Sequence, residues 1–280
     1  RDYAVTGVQT CALPICLGIA VKILLTFALE NEFAPWRRMH DFRPAMWGDA
    51  RVLAAKIEGA ELGVLLTGAG PRQAARAIAK VSWGDTGEIT ACISTGLAGG
   101  LRPEFGAGSV LAARGVISES ARDEFEDCIL ESSAALLSFA GECGAEVVDR
   151  FYTAGSVISR AEEKRHLGQR ASAVEMESYD ILRHAQEWGI PAVAVRAICD
   201  TAQEDLPLDM NGIFTERGRV SLARVVGQVA LHPASLPQLV KIGQQSKRAA
   251  ESLAKFMEAY VTRLAEKMQL LDAQAAAPAR

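Results

Sequence analysis

Residues 173–178 read AVEMES, a short apolar run that closes on two glutamates and a methionine just before the helix-like segment YDILRHAQEW. One interpretation is local, because acidic side chains in the first turn of a helix oppose the positive end of its dipole and stabilise it by about 0.3 to 1 kcal/mol. The other interpretation is a ligand site at the end of a strand. The stretch alone favours the first, so the choice depends on its surroundings.

Segments typical of strands and of helices alternate on both sides of this stretch. Short runs rich in Val, Ile, Leu and Ala predict buried strands of a largely parallel sheet. Amphipathic segments between them predict helices packed on both faces of that sheet. The predicted strands are 20–27, 62–66, 88–94, 109–113, 147–152, 172–174 and 191–198, and the predicted helices are 72–81, 127–143, 160–167 and 177–188.

The two ends of the chain are set apart from this pattern. Residues 5–15, VTGVQTCALPI, match a reading frame through a sequencing-library adapter, so residues 1–16 are expected to be a non-native segment. Residues 17–268 are long enough for one large α/β domain with its own core. Residues 269–280, which end in AQAAAPAR, are expected to form a disordered tail.

Composition and charge argue against several classes of function. The chain has 30 basic and 34 acidic side chains, well mixed, and a net charge of −4, which gives no electrostatic footprint for nucleic acid. No apolar run reaches the roughly twenty residues of a membrane span. The six cysteines show no CxxC spacing and the four histidines no HxxxH spacing, so no metal site is expected. These observations indicate a cytoplasmic protein with reduced thiols.

Polar or glycine-rich turns follow four of the predicted strands, and they read ALENEF, TGAGPR, STGLAGGL and RAICDTA. A single such turn is weak evidence, but four in one domain indicate a ligand site beyond the carboxyl ends of the strands. Glycines there let the backbone approach a ligand closely. Glu32, Glu177 and Asp200 are expected to converge on that ligand, which favours the second interpretation of AVEMES.

The motifs ALENEF, TGAG, STGLAGGL, AVEMES and VRAICD, in this order from about residue 23 to residue 200, resemble those of the nucleoside phosphorylase and nucleosidase superfamily. The methylthioadenosine/S-adenosylhomocysteine nucleosidases are the most similar branch. The resemblance implies a three-layer α/β/α fold with a mixed, largely parallel, twisted central sheet. It also implies a small-molecule nucleoside substrate, hydrolysis of the N-glycosidic bond of a 5′-substituted adenosine with release of adenine, no cofactor, and a homodimer.

Carried over residue by residue, the resemblance assigns the chemistry to three side chains. Asp200 is expected to be the general acid that protonates N7 of the purine as the glycosidic bond breaks. Glu32 is expected to orient and deprotonate the attacking water on the opposite face, with Arg196 helping to place that water. Two carboxyl groups share the work in the same way in an inverting glycosidase.

Other matching positions are expected to bind the substrate. Glu177, the second glutamate of AVEMES, would accept hydrogen bonds from the 2′ and 3′ hydroxyls of the ribose, and Met176 would pack against the sugar. For Glu175, a contact with the substrate competes with a structural role. Ala98 and Gly99 would border the base, where a larger side chain would block access. The remaining residues assigned to the substrate are Thr67, Gly68, Val157 and Ile158.

Three departures from the nucleosidase pattern leave the 5′ substituent open. Leu97 stands where methylthioadenosine nucleosidases usually have a serine near the water, and no aromatic residue is evident for stacking on the base, although Phe151 and Tyr152 lie upstream of Val157. The amphipathic residues 236–264 predict two further helices that pack on the sheet or on a second subunit. This extension is similar to the hopanoid-associated branch, which removes adenine from adenosylhopane. Membrane association is expected only for such a lipidic substrate.

Two other functions stay open. A phosphorylase would use phosphate in place of water and would need a cluster of donors, for which the candidates are Arg37, Arg38, Arg43 and Arg72. A nucleoside-binding protein would keep the fold without the chemistry. Binding alone does not require both a proton donor and a water activator, which argues against this last function.

Overall fold

The computed structural model describes residues 21–82, 89–119, 128–207, 210–213, 215, 218, 221–231 and 233–276. The adapter-like segment 1–16 and the last residues of the expected tail, 277–280, lie outside these ranges.

Every strand predicted from the sequence is present, with bounds shifted by a few residues. Two strands that the sequence analysis missed form an antiparallel extension on one edge of the sheet, and their alternating polar and apolar residues are typical of strands with one exposed face. The strands are β1 (Lys22–Phe27), β2 (Arg43–Trp47), β3 (Ala50–Ile57), β4 (Ala60–Leu66), β5 (Ala91–Gly100), β6 (Val110–Ser118), β7 (Leu130–Glu131), β8 (Glu146–Thr153), β9 (Ala173–Glu175) and β10 (Ala192–Asp200). This pair is β2 and β3, and β7 was missed as well because it lies within a segment predicted to be a helix.

Helices are present in all four predicted segments, but the one expected over 127–143 begins only at Ala134, because Leu130–Glu131 form the strand β7. Three additional helices were missed. One begins directly after β1, within the ALENEF motif, in a segment that is short and contains Pro35. The other two are Met210–Ile213 and Leu222–Leu231. The helices are α1 (Glu30–Arg37), α2 (Pro71–Ile78), α3 (Ala134–Glu142), α4 (Ala161–Leu167), α5 (Ser178–Glu187), α6 (Met210–Ile213), α7 (Leu222–Leu231) and α8 (Leu236–Ala276), with a short 3₁₀ turn at Pro233–Ser235.

The strands form one mixed sheet in the order β10-β6-β8-β9-β5-β1-β4-β3-β2, and β7 pairs with β6 outside this order. β5 pairs in parallel with β1 on one side and with β10 on the other. Its last residues, Gly99 and Gly100, also pair with β9 in antiparallel fashion. Because β10, β6, β8 and β9 pair in turn and β9 returns to β5, these five strands close into a ring. The mixed α/β fold is confirmed, and the ring is a feature that strand patterns alone did not predict.

Helices cover both faces of the sheet, so the structure has three layers. One core contains Phe33 and Trp36 of α1 together with apolar residues of α3 and α8. The core on the opposite face contains Ile78 of α2 and Leu182 of α5. A third, smaller cluster, which includes Tyr152, packs near α4.

The C-terminal segment differs from the prediction. A single helix, α8, runs from Leu236 to Ala276, where the sequence predicted two helices and then a disordered tail from residue 269. The only glycine inside it, Gly243, is surrounded by open space, so nothing there requires a break. The helix is held by a buried apolar stripe, and Tyr260 donates a hydrogen bond to the Leu136 carbonyl. No helix in the described ranges combines the length and apolarity needed to cross a bilayer.

Candidate active site

A cavity of about 250 Å³ lies where the carboxyl ends of β1, β5, β9 and β10 meet. The strand exits singled out in the sequence therefore do converge, as expected for parallel strands that end at one edge of a sheet. Its lining residues are Ala28, Leu29, Asn31, Glu32, Ala69, Leu97, Ala98, Gly99, Ser156, Val157, Ile158, Val174, Glu175, Met176, Glu177, Cys199, Asp200, Leu206, Ile242 and Ser246.

Glu32 lies in the first turn of α1 and is buried. Its Oε2 accepts the backbone N–H groups of Ala28 at 3.2 Å and Leu29 at 3.3 Å. Gly96, at φ +146°, faces this oxygen, and a Cβ there would lie 2.9 Å from it. Burial raises the pKa of Glu32 from 4.5 to about 7, although the charge of Arg196 and the backbone donors oppose the rise. A carboxyl with this pKa can accept a proton near neutral pH.

Glu177 stands immediately before α5 and is also buried. Its Oε1 accepts the Gly70 N–H at 2.8 Å, which ties it to the turn after β4. Burial and the neighbouring Glu175 carboxylate raise the pKa of Glu177 to about 8, while Arg196, whose Nη2 lies 3.8 Å from Oε2, and the Gly70 donor lower it. The side chain lines the cavity, where it can accept hydrogen bonds from neighbouring hydroxyl groups.

Glu175 lines the cavity, where a contact with the substrate was predicted, and it also makes structural contacts. Its Oε2 accepts the backbone N–H groups of Glu177 at 3.0 Å and Ser178 at 2.7 Å, which caps the start of α5. The same oxygen lies 2.6 Å from Nη2 of Arg196, and Oε1 accepts the Thr153 hydroxyl. Both oxygens have partners within the protein, so this carboxylate positions its neighbours, while its contact with the substrate stays a prediction.

Arg196 of β10 is 1% exposed and is not among the residues that line the cavity. Its Nη2 donates to Glu175 and, at 3.2 Å, to the hydroxyl of Ser94, while Nη1 donates to the Val195 carbonyl. The Nε atom is buried and has no acceptor among the described residues. Arg196 is therefore an interior ion-pair partner whose charge also acts on Glu32.

Asp200 ends β10 and lines the cavity. Its Oδ2 accepts a hydrogen bond from Nζ of Lys164 at 2.5 Å, and its Oδ1 accepts one from the Cys199 thiol at 3.0 Å. Lys164 is completely buried, and its Nζ also donates to the carbonyls of Thr201 at 3.1 Å and Glu204 at 2.9 Å. This lysine was missed because a single Lys in an amphipathic segment normally marks a solvent-exposed face.

Five other residues predicted to bind the substrate line the cavity. They are Ala98 and Gly99, predicted to border the base, Met176, predicted to pack against the sugar, and Val157 and Ile158. A Cβ on Gly99 would lie 3.1 Å from Oδ2 of Asp200, so a side chain there would crowd the carboxyl group. The main chain of Val157 exchanges hydrogen bonds with the side chain of Asn211, which ties down this part of the wall.

Several other residues considered in the sequence lie away from the cavity. Thr67 and Gly68, predicted to bind the substrate, do not line it; the Thr67 hydroxyl bonds to main-chain carbonyls and the pair places Ala69 at the wall. Phe151 and Tyr152 are buried in apolar clusters and line no part of it. The cavity wall near Val157 is thus aliphatic.

Three lining residues had no signal in the sequence analysis. Leu206 follows β10, and the other two come from α8. The α8 pair could not be predicted, because the helix reaches the cavity only through its tertiary packing. This pair is Ile242 and Ser246. Within the described ranges, no group of three or more His, Cys, Asp or Glu side chains is arranged to hold a metal ion.

Removing the charge of Glu32 should stabilise the protein in a pH-dependent way. The folded-state pKa is raised, so the stability that protonated Glu32 contributes is full below about pH 4.5 and is lost as the pH rises through about 7. Glu32→Gln mimics the protonated form, and its advantage over the parent should grow by on the order of 2 to 3 kcal/mol between pH 5 and pH 8.5. Urea denaturation at both pH values measures it.

Glu30→Gln is the matched control, because Glu30 lies in the same helical turn but its side chain is 48% exposed and pairs with Arg37. Its stability difference from the parent should change little between the two pH values. If Glu32→Gln behaves like this control, Glu32 does not have the raised pKa.

Solved structures of nucleosidases share this fold. 5′-Methylthioadenosine/S-adenosylhomocysteine nucleosidase from Helicobacter pylori, bound to butyl-thio-DADMe-Immucillin-A, is 17% identical with a TM-score of 0.67, over 87% of this chain and 99% of that one. Futalosine hydrolase from the same organism is 17% identical with a TM-score of 0.66, over 87% and 98%. The Campylobacter jejuni methylthioadenosine/S-adenosylhomocysteine nucleosidase is 15% identical with a TM-score of 0.63, over 87% and 99%.

At these identities the likeness shows the fold alone. The sequence itself matches a family model, that of the phosphorylase superfamily, over residues 22–230. This match spans most of the chain and includes the motifs that form the cavity, so the protein belongs to the phosphorylase superfamily.

Proposed function

We propose that this protein hydrolyses the N-glycosidic bond of a 5′-substituted adenosine, of the methylthioadenosine or adenosylhomocysteine type, and releases adenine. The observation that carries the proposal is the meeting of Glu32, Glu177 and Asp200 in one cavity from three different strand exits. Hydrolysis of a glycosidic bond with inversion needs a proton acceptor, a group that forms hydrogen bonds with the sugar hydroxyls, and a second carboxyl group beside the base.

In the proposed mechanism, Glu177 accepts hydrogen bonds from the two ribose hydroxyls and fixes the sugar. Asp200 transfers a proton to N7 of the purine while the bond from C1′ to N9 breaks and its electron pair passes to the base. A water attacks C1′ from the opposite face and gives a proton to Glu32, whose pKa of about 7 suits a base at neutral pH. Arg196 lies in the interior outside the cavity lining, and it contributes its positive charge and its unpaired Nε donor.

Water is favoured over phosphate as the nucleophile by the charge of the cavity. No Lys or Arg is found among the described residues that line it, whereas several carboxyl groups are. Of the arginines considered as phosphate donors, Arg37 pairs with Glu30 and Arg43 pairs with Asp41 at the surface. A phosphate dianion beside Glu32 would be repelled without a compensating donor cluster.

Product analysis tests the reaction directly. The protein is incubated with methylthioadenosine, adenosylhomocysteine and adenosine, with and without phosphate, and the sugar product is identified. Free sugar formed at the same rate in both conditions supports hydrolysis. A sugar 1-phosphate formed only with phosphate would establish a phosphorylase instead, and no release of adenine would leave only a binding function.

The aliphatic wall bears on the 5′ group. Val157, Ile158, Leu206 and Ile242 give the cavity an apolar side, which suits an apolar 5′ substituent such as a methylthio group. A longer lipidic group, as in adenosylhopane, is the second candidate. It is supported by the exposed apolar side chains on α7 and the first turns of α8, which are Val226, Leu231, Leu236 and Val240.

The free thiols of the four described cysteines support a cytoplasmic location.

Asp200→Asn and Glu32→Gln should both slow adenine release, but for different reasons. Asn keeps the size and one hydrogen-bonding edge of Asp200 yet delivers no proton, so kcat should fall by about 10² or more with binding retained. A nitrophenyl riboside, whose leaving group needs no proton, should restore turnover of Asp200→Asn and leave Glu32→Gln slow. Steady-state kinetics on both substrates measure this. Near-parental adenine release by Asp200→Asn would show that Asp200 is not the acid.

A homodimer is also proposed, with an apolar surface near residues 67–70 and 160–164 buried between subunits. Large exposed apolar side chains on the described surface lie outside these two segments and include Met39 at 48% and Met46 at 58%. Light scattering should give about twice the chain mass of 29.9 kDa at assay concentration. A monomer with full activity would contradict the dimer.

A further inference from the structure

The Lys164 ammonium group is the only lysine nitrogen among the described residues that pairs with a proposed catalytic carboxyl group. Its side chain has no exposed surface, and the side chain of Asp200 is 11% exposed. Burying a lysine is costly unless its charge is paired and its donors are satisfied. Here three donors meet three acceptors, namely Oδ2 of Asp200 and the carbonyls of Thr201 and Glu204.

We propose that Lys164 is a positioning residue for the general acid. This role rests on the proposed function, because it acts through the Asp200 carboxyl group. By holding Oδ2 and two carbonyls of the following loop, the ammonium fixes the carboxyl group at the edge of the cavity. The proton that Asp200 delivers lies on Oδ1, because Oδ2 accepts from the ammonium. When that proton passes to the purine, the carboxylate that forms faces an ammonium 2.5 Å away, which stabilises the negative charge as it develops.

The surroundings of Lys164 link this role to the walls of the cavity. Leu206 lines the cavity, and its backbone N–H bonds to the Ser159 carbonyl, just before α4. The Ala161 N–H at the start of α4 bonds to the Asp205 side chain. The helix that carries Lys164 and the loop after Asp200 are therefore joined at several points, with the buried ammonium at the centre.

A surface lysine that pairs with the same loop provides a matched control. Lys241 of α8 pairs with Oε1 of Glu204 at 2.5 Å, and its side chain is 62% exposed. Lys241→Met removes a cation from the loop without touching Asp200. Its kinetics should stay within about twofold of the parent on every substrate, since exposed ion pairs contribute little.

The test compares Lys164→Met with this control on two substrates. On the adenine nucleoside that the parent cleaves best, kcat should fall by about 10- to 100-fold with KM changed much less, as for loss of an interaction made in the transition state. On a nitrophenyl riboside, which needs no acid, kcat should stay within about threefold. A parallel loss on both substrates would show a merely structural lysine, and an unchanged kcat on the nucleoside would show no role; either overturns the proposal.

Two further measurements keep the test decisive. In the Asp200→Asn background, Lys164→Met should have almost no additional effect on kcat, because the two residues act as a unit; additive losses would contradict the proposal. If Lys164→Met does not fold, Lys164→Gln, which retains donors for the carbonyls, is judged by the same ratio of the two substrates. A parent protein that releases no base from any nucleoside would overturn the proposed function and this role with it. If the parent is active but Lys164→Met loses kcat equally on the nucleoside and on the nitrophenyl riboside, only the role of Lys164 is overturned.

Discussion

Arg196 and Glu175 form an ion pair in the protein interior, with Nη2 and Oε2 2.6 Å apart and both side chains at most 1% exposed. The pair joins β10 to β9, and the same carboxylate oxygen accepts the first backbone donors of α5. Removing one partner would leave an uncompensated buried charge, a loss of about 3 to 5 kcal/mol. The position of Glu177, which stands between the capping carboxylate and α5, depends on this contact.

The ion pair also sets the electrostatics of the cavity. Arg196 compensates Glu175 most closely, lies 3.8 Å from Glu177 and acts on Glu32 only through its field. Burial therefore prevails at the other two carboxyl groups and raises the pKa of Glu32 to about 7 and that of Glu177 to about 8. Ionising these buried carboxyl groups lowers the free energy of unfolding, which is a frequent consequence of a reactive site.

Strand β5 determines where these groups meet. Most of its length lies between β1 and β10, while Gly99 and Gly100 turn toward β9 and close the ring of five strands. Closure brings the ends of β9 and β10 next to the end of β1, so that side chains from distant parts of the chain share one cavity. A Cβ at residue 99 would lie 3.1 Å from Oδ2 of Asp200 and 3.2 Å from Cγ1 of Val174, so these side chains would have to shift by a few tenths of an ångström to accept it.

The sequence predicted the alternation of strands and helices, the polar strand exits and the convergence of Glu32, Glu177 and Asp200. Apolar periodicity and strand direction are local properties, and parallel strands place their carboxyl ends at one edge of a sheet. Only the tertiary structure decided which charges pair. Glu175 lies in the same motif as Glu177, yet its contacts make it a carboxylate that caps α5. The sequence around Lys164 is typical of a surface lysine, but in the structure this side chain is buried and pairs with Asp200, 36 residues away. The contribution of α8 to the cavity wall was equally hidden. Burial and ion pairing depend on contacts between segments that are distant in the sequence, and residue spacing does not predict these contacts.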